Sequence, residues 1–384
     1  MRGKRASILL ALGFTCLALP AGAAAPSARK AELLARAPRL KATPAAAKVG
    51  GSPVVDCTQG DSLQAAIDKS VDGDVLEVRG LCNENVKVLR KRLTLHGLDP
   101  LTDGIAGVAA TPPALAALEV WYSDNLRVEN LSFVHPTGHG LGLWYSGAEA
   151  INCRMVGNPL NGVHVSVSSF FDATELVLSD NGRSGLNVQR NASGFCRGCQ
   201  VHNNAAAAAT ANTGSLLSLL DSVVTGLRGV RAFNNSYADI DCVSEDNPAY
   251  SCSLNVTRTA GTAFANSTAA MFGAGPFAGQ LQADDHGEIL VFGSQQTSTG
   301  VNQVGNPLPN VLSTYSTLIA DPNEDIGDES QLKGHTQVST FSRALLRGAT
   351  TVNGTLACDS AGDAWKDAGV TVTGGPITGC EHVP

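Results

Sequence analysis

Side chains suited to binding or transforming a sugar recur at a regular interval in the middle of the chain. One series has a member every 22 or 23 positions and runs Glu119, Gly142, His164 and Asn187. A second series lies two residues further on and runs Trp121, Trp144, Ser166 and Gln189. Flat aromatic rings pack on pyranose faces, while imidazole, amide and carboxylate groups bind hydroxyls or transfer protons. Side by side, the two series would form a surface suited to a polysaccharide.

Two readings of these series stay open. Stacked tryptophans also stabilise repeat proteins by packing alone, and a single surface histidine is commonly just solvated. Continued past an apparent Ala-rich insertion at 205–213, the first series reaches Ser218 and Asp241. A third series lies just beyond the strands and runs Tyr122, Tyr145, Val167, Arg190 and Asp221.

Apolar residues with the same interval predict the elements that must position these groups. One apolar series is Leu118, Leu141, Val163 and Leu186, and another is Leu131, Cys153, Leu176 and Cys199. A polar series runs Asn158, Asn181 and Asn204, and we expect Asn235 to follow it. Short alternating strands between Gly, Asn and Ser turns indicate a coil of strands, in which equivalent residues stack about 4.8 Å apart. Stacked asparagines then form a hydrogen-bonded ladder.

The N-terminal part of this repeat region resembles a known family. The segments Asp61–Asp68, Asp72–Val78, Glu84–Val88 and Leu93–Gly97 resemble the opening of pectin-lyase-like right-handed parallel β-helices. The resemblance covers roughly Val55 to Gly300 and carries no catalytic motif with it. It implies an all-β, right-handed parallel β-helix with an N-terminal capping helix. Beyond about Ser294 the repeat fades, which predicts an irregular C-terminal segment.

The amino-acid pattern also predicts the capping helix and the boundaries of the domain. Leu63, Ala66 and Ile67 would form an apolar helix face that covers the open end of the solenoid. We expect a signal peptide at 1–23, a flexible leader at 24–50, β-helix coils at 51–300, and an irregular lateral segment at 301–384 that belongs to the same domain. The protein should therefore be secreted or periplasmic, and no later apolar run is long enough to span a membrane.

The net charge of the protein limits the kinds of molecule that it can bind. From residue 51 onward the chain has 18 Lys and Arg against 33 Asp and Glu, a net charge of −15. A body this acidic repels nucleic acid, and a polysaccharide or cell-surface glycan is the expected partner. The basic cluster of Lys87, Arg90, Lys91 and Arg92 is either a solvated strand edge or a contact for an anionic glycan. The oligomeric state is not indicated.

The family resemblance also implies a reaction class. Many similar proteins cleave uronate polysaccharides by β-elimination, in which a base removes the proton α to a carboxyl group that a cation or amide neutralises. His164 or Arg190 would be the base, Asn187 would neutralise the carboxyl group, and Arg231 is a further candidate. Trp121, Trp144, Gln189 and Arg231 would bind substrate. The alternative is a non-catalytic surface, adhesion or structural module.

Acidic residues raise two weaker possibilities. Asp239 and Asp241, with Glu245 and Asp246, form the densest acidic cluster of the repeat region. Calcium-using relatives hold their metal with such carboxylates, so Ca²⁺ is one candidate cofactor and ordinary surface acidity is the other reading. A glycoside hydrolase would use Asp239 and Asp241 as its carboxylate pair.

The cysteines fit an oxidising compartment. Nine remain once Cys16 leaves with the signal peptide. Local pairing predicts Cys57–Cys82, Cys242–Cys252 and Cys358–Cys380 and leaves Cys153 unpaired. Cys196 and Cys199 would form a local structural bond, and the alternative is a redox-active pair, although no βαβ pattern surrounds this CxxC motif.

Overall fold

The computed structural model describes residues 53–111, 114–242, 252–273, 276–292, 294–298, 310–312, 316–321, 330–333, 336–338, 342–348, 350–358, 362–373, 375 and 377–380. The expected signal peptide and leader lie outside these residues, as do Glu245 and Asp246.

Short parallel strands wind into a solenoid with three faces. The first face is a sheet of 14 strands, which are β1 Val54–Asp56, β2 Val75–Arg79, β5 Thr94–Gly97, β8 Asp124–Glu129, β11 Gly147–Ile151, β14 Phe170–Thr174, β17 Ser193–Arg197, β20 Leu216–Leu220, β22 Tyr237–Asp241, β24 Thr268–Phe272, β26 Glu288–Phe292, β29 Thr317–Asp321, β32 Arg343–Leu346 and β35 Asp363–Lys366.

The other 22 strands form one bent sheet that supplies two faces. The second face contains β3 Leu81–Cys82, β6 Gly104–Ala106, β9 Ser132–Val134, β12 Arg154–Val156, β15 Val177–Ser179, β18 Gln200–His202, β27 Gln295–Ser298, β30 Gln331–Lys333, β33 Thr351–Asn353 and β36 Thr371–Val372. The third face contains β4 Val86–Leu89, β7 Ala116–Trp121, β10 His139–Trp144, β13 Val163–Ser166, β16 Ser184–Gln189, β19 Ala207–Asn212, β28 Asn310–Leu312, β31 Thr336–Val338 and β34 Leu356–Cys358. Three long strands bend across both faces, namely β21 Val223–Phe233, β23 Ser253–Phe264 and β25 Pro276–Asp284.

The apolar series stack inside this solenoid as the repeat predicts. Leu118, Leu141, Val163 and Leu186 are register partners on consecutive strands of the third face, and none of them is exposed. The series of Leu131, Cys153, Leu176 and Cys199 is also completely buried. The core is therefore a continuous column of aliphatic side chains that runs along the solenoid axis.

The predicted asparagine ladder is present over three coils. The Oδ1 of Asn181 accepts from the backbone N and the Nδ2 of Asn158, at 3.0 and 3.1 Å. Asn204 binds Asn181 in the same way. Each amide also donates to a backbone carbonyl within the coil stack. Asn235 does not continue the ladder: it is exposed, and its N–H donates to Ala265 in a different turn.

A second ladder, made of serines, was not anticipated from the repeat. Ser146 accepts from the N–H of Ser123, and Ser169 accepts from the N–H of Ser146, at 3.2 and 3.1 Å. The same contact recurs further along the solenoid, where Ser236 accepts from Ser215. These buried hydroxyls satisfy backbone donors at the turns between the third and the first face.

The single helix among the described residues, α1, spans Leu63–Lys69 and follows a short 3-10 helix at Cys57–Gln59. Leu63 and Ile67 are buried in the core, as expected, and Ala66 is half-buried. Ser62 caps the start of α1 by accepting from the N–H of Ala65. At the other end, the Lys91 ammonium donates to the carbonyl groups of Ile67, Asp68 and Ser70 at 2.5 to 2.9 Å. No helix in the described stretches is long and apolar enough to cross a bilayer.

The coil stack extends past the boundary expected at residue 300. Strands β28 to β36 pair in parallel with the strands before them on all three faces, as far as Thr371–Val372. The 22–23 residue interval fails here because the coils differ in length, so periodicity in the sequence no longer marks them. The irregular lateral segment predicted for 301–384 is thus replaced, in its described residues, by further coils.

All four predicted disulfides are present, joining Cys57–Cys82, Cys196–Cys199, Cys242–Cys252 and Cys358–Cys380. Cys153 is unpaired and buried. Burial raises the pKa of its thiol to about 12, which makes it a poor nucleophile.

Candidate functional site

The third face brings the first polar series together in the predicted order. Glu119, Gly142, His164 and Asn187 are successive register partners on β7, β10, β13 and β16. Thr210 on β19 comes next, followed by Arg231 on β21.

The predicted continuation to Ser218 and Asp241 is wrong. Both residues lie on the first face, in β20 and β22. The stretch taken for an insertion contains strand β19, which is the third-face strand of an ordinary coil. Its residues Ala207, Ala209 and Ala211 are completely buried. Alanine is a weak strand former, so packing inside the solenoid has overridden local propensity here.

His164 is a buried, fully hydrogen-bonded imidazole. It is 8% exposed, and its Nδ1 lies 3.1 Å from the Oδ1 of Asn187. Because an amide oxygen can only accept, Nδ1 carries the proton. The Nε2 lone pair accepts from the Nε2 amide group of Gln189 at 3.2 Å. Asn187 and Gln189 therefore select one tautomer, with the basic nitrogen at Nε2.

The surroundings keep His164 neutral. Burial lowers its pKa to about 4, the hydrogen bond with Asn187 opposes this shift, and the positive charges of Arg190 and Arg183 add to it. Since the lowered pKa lies well below neutrality, the imidazole is a proton acceptor at physiological pH.

A second histidine stacks on the first. The rings of His139 and His164 lie 4.5 Å apart and are tilted by only 6°. The Nδ1 of His139 accepts from the backbone N of Asn161 at 3.0 Å, so its proton sits on Nε2. The pKa of His139 is lowered to about 3, mainly by burial and in addition by repulsion from His164 and Arg183.

His139 is the functional candidate that the sequence reading passed over. A signal was available, because His139, Asn161 and Ser184 form another polar series with steps of 22 and 23 residues. The backbone N of Ser184 donates to Asn161 at 3.0 Å, which links this series from coil to coil.

The two tryptophans extend the site toward the N-terminal end of the solenoid. The rings of Trp121 and Trp144 stack at 4.7 Å, and the rings of Trp144 and His164 lie 5.8 Å apart with a tilt of 51°. Trp121 also donates to Glu119 at 3.0 Å.

Gly142 makes room for the Trp144 ring. A Cβ atom on Gly142 would lie 2.4 Å from the ring, so only glycine allows the indole to lie flat over this position. Trp144 is only 7% exposed, so neighbouring residues cover most of its side chain.

The remaining predicted residues of the third face lie at increasing distance from His164. Gln189 is in direct contact with it, and Arg190 is exposed at the turn that follows β16. Arg231 is three coil steps away and half-buried, with its guanidinium 4.6 Å from the Phe233 ring. Among the described residues, its Nε has no hydrogen-bond partner.

The acidic pair predicted for a metal or for hydrolysis belongs to another face. Asp239 and Asp241 lie in β22 on the first face. Asp239 is completely buried, and its Oδ2 accepts from the Tyr237 hydroxyl at 3.2 Å. Calcium takes six to eight oxygen ligands. Within the described ranges, no group of three or more His, Cys, Asp or Glu residues could hold a metal. The two carboxylates alone do not make a calcium site.

Comparison with known proteins identifies the fold class. A family described as "Right handed beta helix region" matches residues 113–269, which are the coils that carry the site. The fold is a right-handed parallel β-helix, as the N-terminal resemblance implied. No curated protein is significantly similar to it.

Three solved structures are similar at a low level. The catalytic unit of a thermostable GH87 α-1,3-glucanase from Streptomyces thermodiastaticus strain HF3-3 is 11% identical with a TM-score of 0.36, covering 89% of this chain and 70% of that one. The A-module of the mannuronan C-5 epimerase AlgE4 from Azotobacter vinelandii is 11% identical with a TM-score of 0.33, covering 84% and 91%. The Agl-KA catalytic domain is 10% identical with a TM-score of 0.32, covering 84% and 69%. Likeness at this level says nothing about the activity of this chain.

Proposed function

We propose that this β-helix protein binds a uronate-containing polysaccharide along the third face and cleaves it by β-elimination at His164. One observation supports the proposal above all: a neutral imidazole, His164, is fixed in one tautomer by Asn187 and lies beside a tryptophan stack on the third face. Aromatic rings next to convergent polar groups are typical of sugar-binding sites.

Each group has a distinct role in the reaction. The Nε2 lone pair of His164 takes the proton from the sugar carbon α to the carboxyl group. The Nδ2 group of Asn187, whose Oδ1 is already bound to His164, donates to the substrate carboxylate and stabilises the enolate-like intermediate. The bond to the departing glycosidic oxygen then breaks, a carbon–carbon double bond forms, and the imidazolium returns its proton to that oxygen.

Substrate binding itself makes His164 a stronger base. A carboxylate close to an imidazole favours its charged form and raises its pKa from about 4 toward the working pH. Gln189 releases Nε2 as the substrate enters, and Arg190 at the edge of the site attracts the carboxylate. Proton transfer by a positioned base contributes about 10²- to 10⁴-fold to a rate.

Absorbance of the unsaturated product on a panel of uronate polymers tests the proposal. We expect His164→Ala and Asn187→Ala to lower kcat/KM by at least about 100-fold. His202→Ala is the matched control, because His202 is half-buried on the second face and bonds to Thr225. Full activity in His164→Ala would remove the assignment of the base. If Arg190→Ala alone abolished cleavage, Arg190 would take that role.

A non-catalytic glycan-binding module is the second candidate. The hydrogen bond from Gln189 favours it, because both ring nitrogens of His164 are then occupied. Binding to a glycan array without cleavage, lost in Trp144→Ala, would establish this function instead.

Export from the cytoplasm is part of the same proposal. Four disulfides are typical of proteins that fold in an oxidising compartment. A secreted or periplasmic location would give the site access to cell-wall or extracellular polysaccharides.

A further inference from the structure

A row of unusual turn residues borders the third face where each strand turns toward the first face. Arg90, Tyr122, Tyr145, Val167 and Arg190 occupy equivalent positions on five consecutive coils, and we call this row the tyrosine ridge. All five have left-handed backbone conformations, with φ between 52° and 60°. Large side chains are strained in this conformation, whereas Asn or Gly would fit with less strain.

The two tyrosines form an exposed aromatic stack. Their rings stack at 5.0 Å with a tilt of 10°. Tyr122 is 48% exposed and Tyr145 is 47% exposed, in contrast to the buried Trp144. Because the rings stack face to face along the solenoid axis, this exposed pair presents its ring edges to the solvent.

Cationic side chains lie near this aromatic stack and at both ends of the ridge. The Arg90 guanidinium lies 5.6 Å from the centre of the Tyr122 ring, and the Lys87 ammonium lies 5.4 Å from the Trp121 ring. Arg190 stands at the opposite end of the ridge. None of these three side chains makes an ion pair within the described part of the chain.

The other members of the basic cluster are engaged elsewhere. Lys91 binds the carbonyl groups at the end of α1, and Arg92 pairs with Asp72 at 3.1 Å. On a body with a net charge of −15, Lys87, Arg90 and Arg190 therefore concentrate free positive charge along one edge of the third face.

We infer that the tyrosine ridge is a second binding subsite, which takes an anionic polysaccharide running along the solenoid axis. Sugar hydroxyls contact the exposed ring edges and phenol groups of Tyr122 and Tyr145, and carboxylate or sulfate substituents contact Arg90, Lys87 and Arg190. The ridge spans four coil steps of about 4.8 Å, or about 19 Å. This inference rests on the proposed function and adds to it a requirement for a long, anionic chain that also reaches the His164 site.

Binding measurements that do not depend on cleavage test the ridge. Affinity is measured for a polyuronate, for the same polymer with its carboxyl groups reduced to alcohols, and for a sulfated polysaccharide without uronate. We expect Tyr122→Ala and Arg90→Ala each to weaken binding of the charged polymer about tenfold, as loss of one exposed aromatic or cationic contact implies. Added salt should weaken wild-type binding more than that of Arg90→Ala.

Matched variants separate the ridge from general effects. Arg154→Ala, on the second face, controls for loss of one positive charge. Tyr122→Asn suits the left-handed backbone and controls for local misfolding, and it should weaken binding like Tyr122→Ala. The charged polymer that binds more tightly identifies carboxylate or sulfate as the natural substituent.

The outcomes distinguish the ridge from the proposed function. If Trp144→Ala weakens polymer binding while Tyr122→Ala and Arg90→Ala behave like Arg154→Ala, the ridge inference is overturned and the proposed function stands. Equal affinity for the reduced and the charged polymer would also overturn the ridge. If the wild-type protein binds none of the polymers, both are overturned.

Discussion

At the scale of single residues, the environment of His164 sets its chemistry. Burial and two nearby arginines keep the imidazole neutral, and Asn187 determines which nitrogen carries the proton. Stacking on His139 adds a second neutral ring. A cluster of this kind has a pH response unlike that of an exposed histidine, whose pKa is about 6.5.

This environment predicts an unusually acidic limb in the pH profile of kcat/KM. A lowered pKa means that the free protein keeps His164 unprotonated as pH falls, until about 4. We expect activity to fall with an apparent pKa near 4, measured by initial rates across pH. Asn187→Asp should move that limb upward, because a neighbouring carboxylate favours the imidazolium. A wild-type limb near 6.5 would contradict this account.

Val167 offers a test of backbone strain. Its φ of 54° is unfavourable for a β-branched residue, and its side chain is only half-buried. Val167→Asn should therefore stabilise the protein by about 1 kcal/mol, measured as a rise in thermal midpoint. Val156→Asn, at a half-buried strand position on the second face, is the control and should lower stability or leave it unchanged.

At the scale of the structural element, the side-chain ladders fix how one coil sits on the next. Asn158, Asn181 and Asn204 satisfy backbone groups at one turn, and serines do the same at another. Both ladders are buried, so each contact replaces hydration that the turn has lost. They hold the strands of the third face in the register that aligns His164 with Asn187.

Removal of one ladder amide tests this role. Asn181→Ala leaves the backbone N–H of Asn158 and the carbonyl of Met155 without their partner in a buried turn. We expect a loss of about 3 kcal/mol in the free energy of unfolding, because each unsatisfied buried group costs roughly 1–3 kcal/mol. Chemical denaturation measures it, with Asn152→Ala as control, since the Asn152–Asn130 bond lies at the surface. Equal effects of the two variants would contradict the ladder's importance.

At the scale of the whole molecule, the solenoid is stabilised mainly by contacts between neighbouring coils. In such a one-dimensional stack, a local change affects adjacent coils more than distant ones. Lys91 ties the first coils to α1, and the Cys57–Cys82 disulfide joins the preceding 3-10 helix to β3. The His164 site lies several coils further along the axis.

Lys91→Met should thus loosen one end of the molecule only. It removes three hydrogen bonds from the Lys91 ammonium to carbonyl groups at the end of α1. We expect faster amide hydrogen exchange in residues 54–89 and unchanged exchange in β13 and β16. Lys69→Met, an exposed lysine on α1, is the control. Uniformly faster exchange along the whole chain would show that the solenoid unfolds as a single unit.

Much of the fold could be predicted because stacking imposes a periodic demand on the chain. Leu118, Leu141, Val163 and Leu186 must each fill the same internal position, so the interval between them is visible without a structure. The four disulfides follow from local pairing in the same way. Prediction failed where a coil is built from uncharacteristic residues, as in Ala-rich β19, or where coil length varies, as beyond residue 300.

The amino-acid sequence by itself determined which residues lie inside the coils from β7 to β16 and which of their series share the third face, since both depend only on alternation and repeat length. Only the tertiary structure decided that His139 stacks on His164, that Gln189 occupies the basic nitrogen, and that Asp239 lies buried on another face. The physical reason is that repeat spacing sets which backbone positions are neighbours, whereas side-chain rotamers, burial and the packing of turns set which atoms touch.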